Sequence, residues 1–544
     1  MSNAQARHAQ FYLTYAQTHR DDWHWFDAEW SQIQRAWNWI NARDDCAARV
    51  LESARAFIPF FEQRGMNQTT LEWAPRSLQA ARTLGDKPGE LFSLSRLGEA
   101  HHRLGDFRRA LELNEECLRL ARELGDRASE AIALGDQARA YTLLGQARAA
   151  IPLHQQQVEI LRQLGDRARE GNALTALGAA HFELAEFRRA IELYQQALAI
   201  AHALNDQRGQ AHALNNLANA HANLGELETA MDFWQRALPL FRDTGNRDGE
   251  ATALGNLGIA YRKQSQLDAA VDFQQQALAI HRETGNLRGQ VLALNNLGNV
   301  YLDRGNLQTA IEFFQQGLSG ARAIRERASE GRALNGLGQV YLALGQFAQA
   351  IEYFEQRLAL CRAIGERIGE STTLLNLGET HTENGEPRKA IPLCEQALAI
   401  LRDIGERGGE AAALSILGGA RFALVETLSA RECYQQSLAI NRALQNRRRE
   451  GGDLNGLGNV YRVLGDRENA EESYQAALVI ARAIGDRQLE AQAAWDLGLL
   501  YEAMGQPERA VERMQIKVDY ARTTNDARAD DLARQQDAVR GKIT

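Results

Sequence analysis

Apolar residues along this chain fall into columns that return every 40 positions, from about residue 88 to residue 527. In residues 330–354, EGRALNGLGQVYLALGQFAQAIEYF, Leu337 and Tyr341 mark one helical stripe. Beyond Gly345 a second stripe runs through Ile351, Phe354 and Leu358 at helical spacing. Nearly the same wording fills residues 290–314, QVLALNNLGNVYLDRGNLQTAIEFF. Ala110, Ala150, Ala190, Ala230, Ala270, Ala310, Ala350, Ala390, Ala430, Ala470 and Ala510 share one column, where only a methyl group lets two helices approach closely. Thirteen positions earlier stand Leu-Gly pairs such as Leu257-Gly258, Leu297-Gly298 and Leu337-Gly338, a large and a small residue that interlock neighbours. Gly305, Gly345 and Gly385 sit where a hairpin needs a left-handed cap. The closing IGER, IGDR or LGDR supplies another glycine and an Asp or Asn to cap the next helix. Each 40-residue unit is therefore predicted to be a helical hairpin, a first helix A and a second helix B.

The columns of Leu-Gly, Tyr, Ala and aromatic residues resemble the tetratricopeptide repeat, stretched here to 40 residues. That resemblance implies an all-α, right-handed superhelical solenoid. Eleven repeats occupy 88–527, and 48–87 reads as a degenerate repeat, since ARTLGD echoes ARELGD. In the repeat from 408 to 447, Arg421 replaces the tyrosine and Val425 the hairpin glycine, which predicts a distorted unit. Residues 1–47 form an aromatic-rich helical module; six of the eight tryptophans lie before residue 88. WFDAEWSQIQRAWNWI and FIPFFEQRGMNQTTLEWAPRSLQAARTLGD resemble the helices that lead into the repeats of bacterial STAND-type signalling ATPases. No GxxxxGK[ST] loop for the ATPase is found, and RGKIT at the end lacks its upstream glycine. The opening MSNA reads as an expression scar, on which reading the chain is a fragment of something longer. The polar residues 528–544 suit a solvating cap on the last hydrophobic face.

Charge and composition narrow the function. A net charge of -8 repels phosphate backbones and anionic lipid, so neither nucleic acid nor membrane is expected as a partner. No apolar run approaches the roughly 20 residues of a bilayer span. Cys46, Cys117, Cys361, Cys394 and Cys433 are odd in number and scattered, which fits a reducing, cytoplasmic setting. No HExxH, GxSxG or convergent carboxylate pair is present, and His101, His181, His221 and His381 fall in the tyrosine column as packing residues. Glu130, Glu170, Glu250, Glu330 and their repeats occupy the first turn of helix A, where the helix dipole favours acid. The expectation is a binding protein, not an enzyme, with no cofactor and no metal.

In a tetratricopeptide stack helix A lines the concave face, and residues spaced by four, three and four point into it. The resemblance therefore assigns a groove to Asn216, Asn219, Asn223, Asn256, Lys263, Asn296, Asn299, Arg332, Gln339 and Asn376. Asparagine is a poor helix former, so a file of asparagines on one face calls for a reason. A carboxamide both donates and accepts, and so can hold the N–H and C=O of an extended peptide. Grooves in kinesin light chains and Pins-type scaffolds are understood to work this way, and Arg332 stands where the latter engage acidic peptides. Two roles stay open for the asparagines: holding an extended, acidic polypeptide, or tying helix A to the neighbouring repeat. Function is read as the ligand-sensing region of a bacterial STAND-like regulator, with a free-standing adaptor as the alternative.

Overall fold

The computed structural model of the protein describes residues 2–18, 23–43, 46–524 and 528–543. Met1 of the MSNA opening and residues 525–527 and 544 near the end lie outside them. Among the described residues there are 27 helices and no strand, and the chain is an all-α solenoid. After α1 (Ser2–Thr18) and α2 (Trp23–Asn41), helices pair in hairpins. The first is α3 (Ala47–Gln63) with α4 (Asn67–Leu84); α5 (Lys87–Arg103) with α6 (Phe107–Leu124) comes 40 residues on. The last is α25 (Arg487–Ala503) with α26 (Pro507–Thr523), trailed by α27 (Ala529–Arg540). The chain divides into two compact units, Met1–Gln266 and Leu267–Thr544.

Within each unit the first helices of successive hairpins touch, while each second helix packs against the first helices on either side of it. Such pairs are α7 (Arg127–Leu143) with α9 (Arg167–Glu183) in the first unit, and α19 (Arg367–Glu383) with α21 (Arg407–Ala423) in the second. First helices therefore line the inner side of each stack. The alanine column makes this packing possible: all eleven, from Ala110 to Ala510, are completely buried. Glycine does the same for the ring of helix B. A Cβ at Gly298 would lie 2.7 Å from Phe314, and one at Gly338 would lie 2.5 Å from Phe354. Those rings rest directly on the backbone of the partner helix.

Successive hairpins are also clamped by charge. Arg162 donates through Nε to Glu170 Oε1 at 2.7 Å, and Arg167 through Nη1 to Oε2 at 2.6 Å, joining the end of one helix B to the start of the next helix A. Arg122 and Arg127 grip Glu130 in the same way, and Arg402 and Arg407 grip Glu410. These glutamates are buried. The first-turn glutamate thus serves as an inter-repeat staple as well as a dipole partner. Where the column changes to Gln210 and Gln290, the amide donates instead to the backbone oxygens of Ala201 and His281.

The aromatic helices share one core with the first repeats. Trp37 stacks on Trp73 at 3.8 Å, and Phe26 on Phe60 at 3.8 Å, in a cluster that continues to Leu120 and Ala133. At the other end Val539 of α27 is buried against the last hairpin, and Gln536 donates to Val511 O at 2.9 Å. No described helix is long and apolar enough to cross a membrane.

The repeat from 408 to 447 corrects the expected distortion. α21 and α22 (Thr427–Ala443) keep the bounds of the other hairpins, because Val425 itself takes the left-handed conformation at φ 64°. Val425 is 72% exposed, so it brings strain without packing. Left-handed backbone costs a side-chain-bearing residue about 1–2 kcal/mol. Val425→Gly should raise the denaturant midpoint by about that free energy, and an unchanged midpoint would show that the turn carries no strain.

A second expectation concerns acid. Burial raises the Glu130 carboxyl, but the bonds from Arg122 and Arg127 outweigh it and hold the carboxyl below the ordinary carboxylate range. Its stabilising contribution is present above the unfolded value of about 4.3 and is lost as pH falls through the lower folded value. In urea unfolding followed from neutral pH to about pH 3, Glu130→Gln should lose less stability than the parent chain; equal losses would remove the clamp from the account.

Candidate functional site

The ten inner-face residues divide into braces and displayed groups. In the first unit, Asn219 of α11 (Gln207–Asn223) accepts through Oδ1 from Trp234 Nε1 at 3.2 Å and from Asn256 Nδ2 of α13 (Arg247–Lys263) at 3.1 Å. Asn223 returns its amide to the Asn219 backbone oxygen at 2.8 Å. In the second unit, Asn376 donates to Asn335 Oδ1 of the preceding repeat at 3.0 Å, and Asn296 to Gln274 Oε1 at 3.4 Å. Asn219, Asn256, Asn296 and Asn376 therefore tie helices together. Asn216, Asn299 and Gln339 are half-buried and make no hydrogen bond among the described residues, while Lys263 and Arg332 are exposed. Bracing and display occur on the same face.

The exceptions in the aromatic column of helix B, which sequence reasoning passed over, mark two openings in the first unit. Each helix B lays one side chain across the glycine or alanine of its own helix A: Tyr194, Trp234, Phe314, Phe354, Tyr434 and Tyr474 in six repeats. The same column holds Asn114, His154, Gln274 and Cys394. Gln274 is compensated by its bond from Asn296. Asn114 and His154 each line a cavity. One of about 410 Å³ lies beside Asn114, and one of about 500 Å³ beside His154. A third, about 960 Å³, lies over first helices of the second unit and is not lined by Cys394. An unfilled ring position loses the contacts that close the helices over it. The signal was legible in the sequence as polar or small residues in an aromatic column.

This third cavity is a groove across α19, α21, α23 (Arg447–Leu464) and α25. Leu375, Ile416 and Leu489 give it apolar surface, and Asn376, Ser415 and Gln492 give it hydrogen-bonding groups. Arg448 pairs with Asp486 at 2.8 Å, and Lys517 donates to Gln492 at 3.2 Å. At the opposite end burial, reinforced by Glu383, pushes the Glu379 carboxyl above its ordinary value. A Cβ at Gly452 would meet nothing within 4 Å, so the groove is open above it.

All five cysteines are buried and none forms a disulfide, and burial pushes the Cys117 and Cys394 thiols up to about 12, away from thiolate chemistry. His181, His221 and His381 each meet a turn glutamate, Glu186, Glu226 and Glu386, across the hairpin. No group of three metal-ligating side chains converges among the described residues.

The sequence profile of the tetratricopeptide repeat matches residues 60–123, 129–203, 209–283, 290–363, 369–443 and 453–515. Among curated proteins none matches the sequence. Solved structures with similar stacking include BtubC from P. vanneervenii, 21% identical, covering 40% of this chain and 92% of its own, with a TM-score of 0.37. The quorum sensor NprR from B. thuringiensis, in its apo form, is 13% identical over 62% of this chain and 99% of its own, with a TM-score of 0.47. A signal transduction ATPase with numerous domains and a tetratricopeptide repeat sensor, from Pyrococcus horikoshii, is 16% identical over 63% of this chain, with a TM-score of 0.45. This chain spans 54% of that ATPase. None of these likenesses extends to function.

Removing a brace and removing a displayed amide should differ. Asn219→Ala strands the Trp234 indole N–H and should cost about 1–3 kcal/mol. Asn299→Ala removes no bond and introduces a better helix former, so stability should hold or rise by a few tenths of a kcal/mol. Chemical unfolding of the two variants side by side checks this, and equal losses would contradict the division.

Proposed function

The chain belongs to the tetratricopeptide repeat family, and we propose that it works by binding an extended polypeptide on the inner face of its helices. The observation that carries the reading is the open groove over four consecutive first helices in the second unit, apolar and hydrogen-bonding along its length. Helices packed roughly 10 Å apart make that stretch about 30 Å long. About nine residues of extended chain would span it at ~3.3 Å each. Displayed amides such as Asn299 and Gln339 suit backbone N–H and C=O groups, which have the same donor and acceptor pattern. Arg332, exposed on a first helix of the same unit, favours acidic residues in the partner, so affinity should fall as salt rises.

The role suggested by this activity is the ligand-sensing part of a STAND-like signalling regulator in a bacterium. Support for that role comes from the aromatic helices, which run into the repeats through a shared core and are suited to pass a change in the stack toward whatever they adjoin.

Gly452→Leu tests the binding reading. The new side chain enters open space, and leucine replaces glycine within a helix, so stability should rise by about 0.5–1 kcal/mol. Peptides selected from a random display library on the parent chain, measured by fluorescence anisotropy, should bind the variant at least tenfold more weakly. Selected peptides that bind both proteins equally would place recognition elsewhere.

A further inference from the structure

The cavity beside Asn114 is built differently from the open groove. Leu91, Phe92, Ile132 and Ala133 form its apolar walls, from α5 and α7. Asn114, only 1% exposed, holds its Oδ1 over Gly98, and its buried Nδ2 has no hydrogen-bond partner. Arg96, also on the wall, donates from Nη1 to Glu62 at 2.8 Å and from Nη2 to Ser95 at 3.0 Å, which leaves a buried Nε unpartnered. Asp136 accepts from Arg139 at 2.8 Å through Oδ1 only, so Oδ2 is unengaged. One small cavity thus gathers two buried, unmet N–H donors and a carboxylate oxygen free to accept. Buried donors are rarely left so, because the cost of taking them from water is then uncompensated.

We propose that this cavity takes a primary carboxamide, the side chain of a glutamine in a polypeptide held on the inner face of the first unit. Its carbonyl oxygen accepts from Asn114 Nδ2 and Arg96 Nε, and its NH2 donates to Asp136 Oδ2. The two methylenes lie against Phe92 and Ile132. A carboxamide is the common side-chain group that offers both an acceptor and donors at one end. A carboxylate offers no donor and is repelled by Asp136; an ammonium offers no acceptor and is repelled by Arg96. The source of the carboxamide rests on the polypeptide reading above, but the chemistry of the cavity does not.

The test uses the full chain at neutral pH with N-acetylglutamine methylamide as probe, and the corresponding glutamate and lysine compounds as controls, titrated by saturation-transfer NMR. The glutamine compound should bind at least tenfold more tightly than either control. Asn114→Phe restores the ring found at Phe314 and Phe354, over a glycine that is already in place, and should abolish the signal while raising the melting temperature. Should that variant misfold, Asp136→Asn, which keeps the side-chain shape, should cut the preference for glutamine over glutamate to under threefold. Equal binding of the three compounds, an undiminished signal in Asn114→Phe, or an unchanged preference in Asp136→Asn would overturn the assignment. A glycine-serine peptide with a single glutamine separates the two readings. If it binds more tightly than the small compound, the cavity takes its carboxamide from a polypeptide; if the small compound binds and the peptide does not, the carboxamide assignment stands and its polypeptide source fails.

Discussion

A methyl-sized contact, repeated at every hairpin, is the constraint on which this solenoid depends. Eleven alanines one repeat apart are all completely buried where helix A crosses helix B. Any larger residue would hold the helices apart, and the ring that lies across the neighbouring glycine would then lose its seat. Close crossing also sets how far each hairpin leaves its faces uncovered, so that only the next hairpin can bury them. Stability in such a stack is a sum of nearest-neighbour terms.

Charge fixes what the apolar contact leaves loose. Packing of alanine and glycine permits rotation about the crossing, and the turn between repeats is short. The arginine pairs that hold Glu130, Glu170 and Glu410 bridge that turn and select one geometry. The glutamates are buried while the arginines stay about half exposed, so the ions keep part of their hydration and the bonds are not cancelled by desolvation. Gln210 and Gln290 show that a neutral amide can take the place of the staple by reaching a backbone oxygen.

In the first unit, cavities lie where this regular packing is relaxed. Asn114 and His154 replace a ring, and each lines a cavity. The regular repeats around them supply rigidity, so the cavities are held open by structure that does not depend on filling them. Half-buried Asp136 lies at the edge of both, where desolvation, opposed by Arg139, pushes its carboxyl up to about 6.

The helices, the hairpin turns, the 40-residue period and the inner face are all readable from the chain alone, because each depends on residues close together along it or at a constant separation. Ala310, Gly338 and Gly345 are legible in that way: one small residue per period, at a place where a helix must cross or end. Even Val425 was visible as an exception, although its consequence was not; the hairpin kept its form and the valine took the strain, since neighbouring hairpins hold both helices. Of the candidate site, the face was legible but the duty of each amide was not. Asn219 and Asn299 occupy the same column, and the difference between them arises in the packed molecule. Trp234 and Asn256 reach the first, and no described side chain reaches the second. The donors left unmet at Asn114 and Arg96 were likewise decided in three dimensions, since whether a buried polar atom finds a partner depends on distances and angles between helices, which no periodicity encodes.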